Sequence, residues 1–431
     1  MSDFQGGIAL LNELLNCIGD FTVLLEGKEI SVTGVLKKRG EDIVLECRAA
    51  ANTLPLARTN DEFLAYGTVQ RKEITLIRCA VIACSLISPE FDAGQIIIQP
   101  CEIVAGMSAK EPIHVSSIKT TIEELNWMFS DKAVQENCLS PENSALLNFT
   151  FPQNITAKDA DDIITIGRDL HFSSENEFYT IHVCPYVSFG FQVAIPLPAA
   201  ITKIASVRNL LSFFADDYLP LGNISFTTPD TNESCSLFLN YKDKAKTADK
   251  PFLISTSVFA NDFQNIYHKW SNFCCENRPI VDLFYGIVTN HSKGSNRFLN
   301  LCQCIEIFSR CFRNKEANTI RKKDINNPSK IYLKHRLKDI LLDTKDILGI
   351  TEEQCDILAK KISDARNYYT HYDKKKISPS FQCISSANIA LHFIILSEIY
   401  KLLGINQNAI TNCSKWREYS ALKKQVENIL Q

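Results

Sequence analysis

The order of apolar and polar residues divides the chain into two regimes. Between about residues 20 and 240, short β-prone runs, many alternating apolar with polar, are separated by polar turns. They include FTVLLEG (21–27), EISVTGVLKK (29–38), DIVLECR (42–48), EITLIRCAVIACSL (73–86) and GQIIIQPCEIVAG (94–106). PIHVSSIKTTI (112–122), YTIHVCPYVSFGFQVAIP (179–196) and SCSLFLNY (234–241) continue the series. Period-two runs without regular intervening helices predict an antiparallel sheet assembly rather than a doubly wound α/β fold. Two stretches break the pattern: LLNELLNCIGD (10–20) as a short opening helix, and ITKIASVRNLLSFFADD (201–217) as a helix before a further strand pair.

The lysine-rich stretch NYKDKAKTADKP (240–251) marks a junction, set at residues 241–255. Beyond it the period becomes helical. Helices are predicted over 261–274, 279–289, 296–312, 331–343, 352–372, 385–404 and 415–430, lengths and connections that suit an antiparallel bundle. The reading is therefore α+β and multidomain: a strand-rich sensing or regulatory region (1–240), the junction, and an all-α bundle (256–431).

Composition changes little. The chain has 431 residues, a formal net charge of -3 and 45% hydrophobic residues, ordinary for globular domains. Sixteen scattered cysteines, several inside apolar runs, read as small hydrophobes rather than a disulfide scaffold. The sequence MSDFQGGIALL has no leader pattern, and ALHFIILSEIY is interrupted by His392 and Glu398. No apolar run was expected to reach the roughly 20 residues that span a bilayer, which predicts a cytoplasmic protein with no membrane partner.

One constellation carries chemistry. In DARNYYTHYD, Arg366, Asn367 and His371 join a permanent cation, an amide and an imidazole. At about 100° per residue, Asn367 and His371 share a helix face and are placed to hydrogen-bond, while Arg366 lies about 140° around from His371. These are the parts of a metal-free ribonuclease. An RNA 2'-hydroxyl can attack its own phosphodiester once a base takes its proton and an acid protonates the departing 5'-oxygen. Histidine suits both transfers near neutrality, and arginine offsets charge growing on the phosphoryl oxygens. Asn367 would orient the imidazole or donate to a phosphate oxygen. DNA lacks the nucleophile, so RNA is the expected partner.

One histidine is too few for both proton transfers, which makes a symmetric homodimer with two copies of Arg366 and His371 part of the expectation. Residues 313–338 hold nine Lys or Arg against Glu316 and Asp324. Arg321, Lys322 and Lys323 within them, and Lys374, Lys375 and Lys376 after His371, are candidate RNA contacts, or else solvated surface. The same lysines oppose a cation beside His371 and Asp373, so neither metal nor cofactor is expected. The competing reading is a noncatalytic RNA-binding or protein-interaction module with Arg366 as a phosphate clamp.

RNYYTH (366–371) resembles the R-N-x-x-x-H motif of HEPN domains, helical bundles that often act as ribonucleases in toxins and antiviral defence. SNRFLNLCQCIEIFSRCF (295–312) resembles their acidic helix, with Glu306 at the place of a polar partner. EISVTGVLKKRGEDIVLE, FLAYGTVQRKEITLIRCAV and VSSIKTTIEELNWMF are similar to the opening domain of the ApeA family of HEPN anti-phage proteins. The resemblance implies an abortive-infection endoribonuclease that cuts tRNA after sensing a phage component. It also implies Arg366 and His371 as catalytic residues, Asn367 as their support and Glu306 as a neighbour.

Overall fold

The computed structural model describes residues 6–49, 56, 59, 61–85, 94–130, 134–136, 147–149, 153–175, 178–240, 251–289, 294–313, 331–371, 379–416 and 419–431. The chain forms two compact units: Met1–Arg208 with Leu219–Lys250, and Asn209–Tyr218 with Pro251–Gln431.

The first unit is the expected strand-rich assembly. Helix α1 (Gly6–Leu14) precedes β1 (Ile18–Leu25), β2 (Lys28–Arg39), β3 (Asp42–Ala49), β4 (Phe63–Val69), β5 (Lys72–Ser85) and β6 (Gly94–Ala105). These six strands pair antiparallel in the order β6-β3-β2-β1-β4-β5, and β5 pairs back onto β6, closing a barrel. Closure removes free edges, and alternation sends one set of side chains inward. In β1 every second residue from Gly19 to Leu25 is buried; in β2 the same holds from Ile30 to Leu36. Phe21, Val23, Val32, Leu36, Leu45, Leu76 and Ile98 fill the interior, with Leu11 and Leu14 of α1 in the same core. Gly67 is required in β4 because a Cβ there would lie 2.0 Å from the Asp20 carbonyl oxygen on β1.

Strand β6 is also the root of an open antiparallel extension. Its Glu102–Ala105 end pairs with β14 (Thr231–Leu239), which leads through β13 (Ile224–Thr228), β7 (His114–Thr121), β12 (Phe178–Pro196) and β11 (Asp162–Glu175) to β10 (Ile155–Asp159). Two short strands, β8 (Val134–Glu136) and β9 (Leu147–Phe149), pair separately. Strands β4, β8, β9, β10 and β11 are additional to the runs singled out in the sequence, and β13 pairs with β14 as the strand pair expected after the 201–217 helix. The interruption between β7 and β13 includes the short helix α2 (Asn126–Ser130) and the 19-residue α3 (Leu197–Ala215), the latter where ITKIASVRNLLSFFADD predicts it.

The second unit is the all-α bundle. It contains α4 (Thr256–Asn261), α5 (Phe263–Glu276), α6 (Arg278–Thr289), α7 (Gly294–Phe308), α8 (Leu333–Leu348), α9 (Glu352–His371), α10 (Phe381–Leu402), α11 (Gln407–Cys413) and α12 (Leu422–Leu430). Residues 209–218, which the sequence reading assigns to the strand-rich region, group with this bundle. Aromatic burial is the reason: Phe213 packs against Trp270, Phe284 and Tyr400, and Phe214 against Phe252, Phe259 and Tyr400.

Two further expectations need correction. The single helix expected over 415–430 begins only at Leu422. Before it, Trp416 Nε1 donates to the Leu253 carbonyl at 2.7 Å and Tyr419 Oη to Asp216 Oδ2 at 2.6 Å, anchoring the chain in turns. The segment Gln382–Leu402 has mean hydropathy 1.4 and is, by length and composition, long and apolar enough to cross a bilayer, contrary to the expectation of no such run. Most of it is buried within the protein, because His392 and Glu398 find partners in the bundle and its apolar residues form the core.

Candidate functional site

Helix α9 carries Arg366, Asn367 and His371 on its last turns, and α7 carries Glu306 near its C-terminal end. The two helices are held together by their apolar faces. Ile362 and Ala365 of α9 are buried, as are Phe298, Leu301, Cys302 and Ile305 of α7. Tyr369 meets Phe298 edge to face, with ring centroids 6.3 Å apart. Burial pushes the Tyr369 phenol up in pKa, as does Tyr368 beside it. The polar residues are thereby turned outward, and none of the four is buried.

Across the helix pair, Arg366 Nη2 stands 3.9 Å from Glu306 Oε2. Glu306 Oε1 accepts from Arg310 Nη2 at 2.7 Å. One carboxylate is therefore shared by two guanidinium groups, and its hydrogen bond is to Arg310. Asn367 Oδ1 accepts from Arg366 Nη1 at 3.4 Å, and Thr370 Oγ1 donates to the Arg366 carbonyl at 2.9 Å. The expected Asn367–His371 hydrogen bond is not formed. The amide is oriented by its neighbour on the chain, and His371, exposed at the helix end, pairs with none of the described residues.

Beside Arg366 the surface opens into a groove of about 590 Å³, lined on α7 by Leu299, Asn300, Gln303, Glu306 and Ile307, with Arg310 after it, and on α9 by Arg366 and Thr370. This volume is within the range that holds a small ligand, roughly 300–1,000 Å³. Arg310 is a site residue that sequence reasoning missed. Its signal was present, since it lies one helical turn after Glu306. It is the second residue of a π-helical turn, Ser309–Arg313, that follows α7; such turns are frequent at functional sites. Beneath it, the fully buried Arg336 of α8 donates to Ser309 Oγ at 3.3 Å. Burial lowers the Arg336 pKa and Arg310 lowers it further, while Glu306 works the other way, so the three charges act on one another.

The proposed basic surroundings are not all free cations. Arg321, Lys322, Lys323, Lys374, Lys375 and Lys376 lie outside the described residues. At the ends of the first basic segment, Arg313 contacts Asp339, Asp343 and Glu398 at 2.6, 2.7 and 3.1 Å. Burial opposes its charge, but these carboxylates outweigh that and raise its pKa. Lys338 is paired with Asp356 at 2.5 Å. Formal charge along the sequence overstated the cation supply because those partners come from other helices. Among the described residues, no three His, Cys, Asp or Glu side chains are grouped to hold a metal ion.

A strand-rich unit is thus followed by a helical bundle that carries Arg-Asn-x-x-x-His on α9 across from Glu306 of α7, and the bundle is of the HEPN class. A family model described as Apea-like HEPN matches residues 299–409, which include Glu306, Arg310 and the whole motif. A second, described as ApeA N-terminal domain 1, matches residues 16–270, more than half of the chain. The chain belongs to the ApeA family, with its N-terminal domain followed by a HEPN domain. No curated protein and no solved structure matches it.

Proposed function

We propose that the protein is a metal-independent endoribonuclease of anti-phage defence that cleaves tRNA by 2'-hydroxyl attack. The observation that carries this reading is the meeting of Arg366 and Glu306 across two helices at the edge of an open groove, with His371 exposed at the end of α9 and paired with none of the described residues. Arg366 would grip the scissile phosphate through its fork and offset the charge that grows on it. Glu306 and Asn367, on either side of the guanidinium, would fix where that fork points.

His371 would take the 2'-hydroxyl proton as the 2'-oxygen bonds to phosphorus. The bond from phosphorus to the 5'-oxygen then breaks, and that oxygen receives a proton, leaving a 2',3'-cyclic phosphate and a 5'-hydroxyl. A second copy of the chain, two-fold related across the motif helices, would present the second imidazole as the acid. In this reading the working species is a cytoplasmic homodimer, and a phage-derived activator acting on the N-terminal unit releases it during infection. A toxic nuclease that aborts infection requires such restraint.

The test compares the full-length wild type with His371→Ala on total bacterial tRNA, in EDTA, with and without lysate from phage-infected cells. Fragments from the wild type alone are expected. Equal fragments from both proteins, or intact tRNA under every condition, would remove the proposal.

A further inference from the structure

The groove contains Arg366 and Thr370 but not His371 or Asn367. Helix geometry explains the division, because positions 366 and 370 share one face while 371 is turned about 140° from 366. A strand whose scissile phosphate lies at Arg366 within reach of His371 therefore has its reacting bond outside the groove, and an adjoining nucleotide within it. The α7 wall suits such an occupant. Asn300 and Gln303 are three apart on one face and offer amides, each both donor and acceptor, the chemistry that reads base edges. Leu299 and Ile307 supply apolar surface against which an unstacked base can lie. At the end, exposed Arg310 presents the part of its guanidinium not used by Glu306. An arginine fork is matched to a phosphate.

Resting on the endoribonuclease reading, we propose that this groove is a single-stranded RNA subsite for the nucleotide next to the cleaved bond, with Arg310 holding its phosphate and Asn300 and Gln303 selecting its base. Glu306 has a second purpose in this arrangement. It spaces Arg310 and Arg366 on opposite sides of one carboxylate, so that successive phosphates of one strand are gripped by successive cations.

The experiment uses the full chain carrying His371→Ala, which binds without cutting, and reads fluorescence anisotropy against salt. The probes are total bacterial tRNA and eight-nucleotide oligoribonucleotides of U, A or C alone. Adding Arg310→Gln should weaken tRNA binding roughly tenfold, as loss of one charged hydrogen-bonding contact does, and reduce the salt slope by about one phosphate contact. Adding Asn300→Ala with Gln303→Ala should leave the slope intact and level the affinities among the three oligonucleotides. Arg310→Lys keeps a cation opposite Glu306 and should fall between. It replaces Arg310→Gln in the comparison if the latter lowers the melting temperature.

Unchanged binding in the Arg310 and amide variants, alongside weakened binding in Arg366→Ala, would overturn the subsite and leave the ribonuclease reading standing. Variants that change sedimentation mass instead of RNA affinity would assign the groove to a contact between copies and overturn it equally. A His371→Ala protein that binds no RNA at low salt would remove both.

Discussion

At the scale of the residue, the site turns on the competition for Glu306. Its carboxylate restrains Arg366 but also repels a phosphate approaching it. The account therefore expects Glu306→Gln to divide binding from turnover: KM for tRNA should fall about threefold as the repulsion is lost, while kcat drops because Arg366 is no longer held. Steady-state kinetics on the mapped cut would check this, and a rise in KM with unchanged kcat would contradict it. Thiol reactivity makes a second prediction. Burial pushes Cys47 and Cys304 up to about 12, whereas Cys84, Cys275 and Cys311 are exposed. Iodoacetamide at pH 8 should label the last three in the folded protein and spare Cys47 and Cys304 until denaturant is added, as peptide mass mapping would show.

The same scale shows what the sequence could reveal. The placement of Arg366, Asn367 and His371 on one helix and of Glu306 on another was legible because a short motif and a helical period are local patterns. Arg310 was overlooked because its spacing of four from Glu306 is a common helical pattern; its hydrogen bond to Glu306 is what sets it apart. The orientation of Asn367 was misread for a related reason. Helical spacing permits a contact with His371, but the neighbouring guanidinium takes the amide oxygen.

At the scale of the element, the end of α3 is fixed to the bundle by a buried polar chain. Arg297 on α7 is hydrogen-bonded to His392 Nδ1, His392 Nε2 lies 2.8 Å from Asp216 Oδ1, and Tyr419 donates to Asp216 Oδ2. Asp216 follows α3 with φ +49°, a left-handed conformation unfavourable for most residues. Burial works to raise the Asp216 pKa, but His392, Tyr419 and Arg297 more than offset it and hold the carboxyl below its ordinary value.

A depressed folded-state pKa gives stability that is complete above the unfolded carboxylate value, near 4, and is lost as pH falls through the folded one. Asp216→Asn should therefore cost about 3–5 kcal/mol near neutrality, the scale of breaking a buried pair, and the deficit should shrink below about pH 4. Urea unfolding across pH would measure it. Such pairing across 95 to 203 residues of sequence leaves no periodic signal, whereas the barrel strands β1 and β2 were visible from alternation alone.

At the scale of the whole molecule, the division into units differs from the division in sequence because a helix can be apolar for two reasons at once. The stretch 201–217 was recognised as helical, yet nothing local says that its end supplies Phe213 and Phe214 to the bundle. Both are buried, so Phe213→Ala or Phe214→Ala should destabilise the helical unit by about 3–5 kcal/mol. A fragment limited to residues 251–431 should be less stable than the same unit in the full chain, with co-expression of residues 197–220 restoring solubility; equal melting temperatures for fragment and full chain would count against it.

The central claim is that the RNA supplies its own nucleophile to a site made by Arg366 and His371. The most direct measurement uses a synthetic tRNA carrying a single 2'-deoxy nucleotide at the mapped cut, with the unmodified tRNA alongside, in EDTA with activating lysate. The account predicts that the unmodified molecule yields a 2',3'-cyclic phosphate and a 5'-hydroxyl, and that the deoxy substitution abolishes cutting at that bond. Continued cleavage there, leaving a 3'-hydroxyl and a 5'-phosphate, would contradict it.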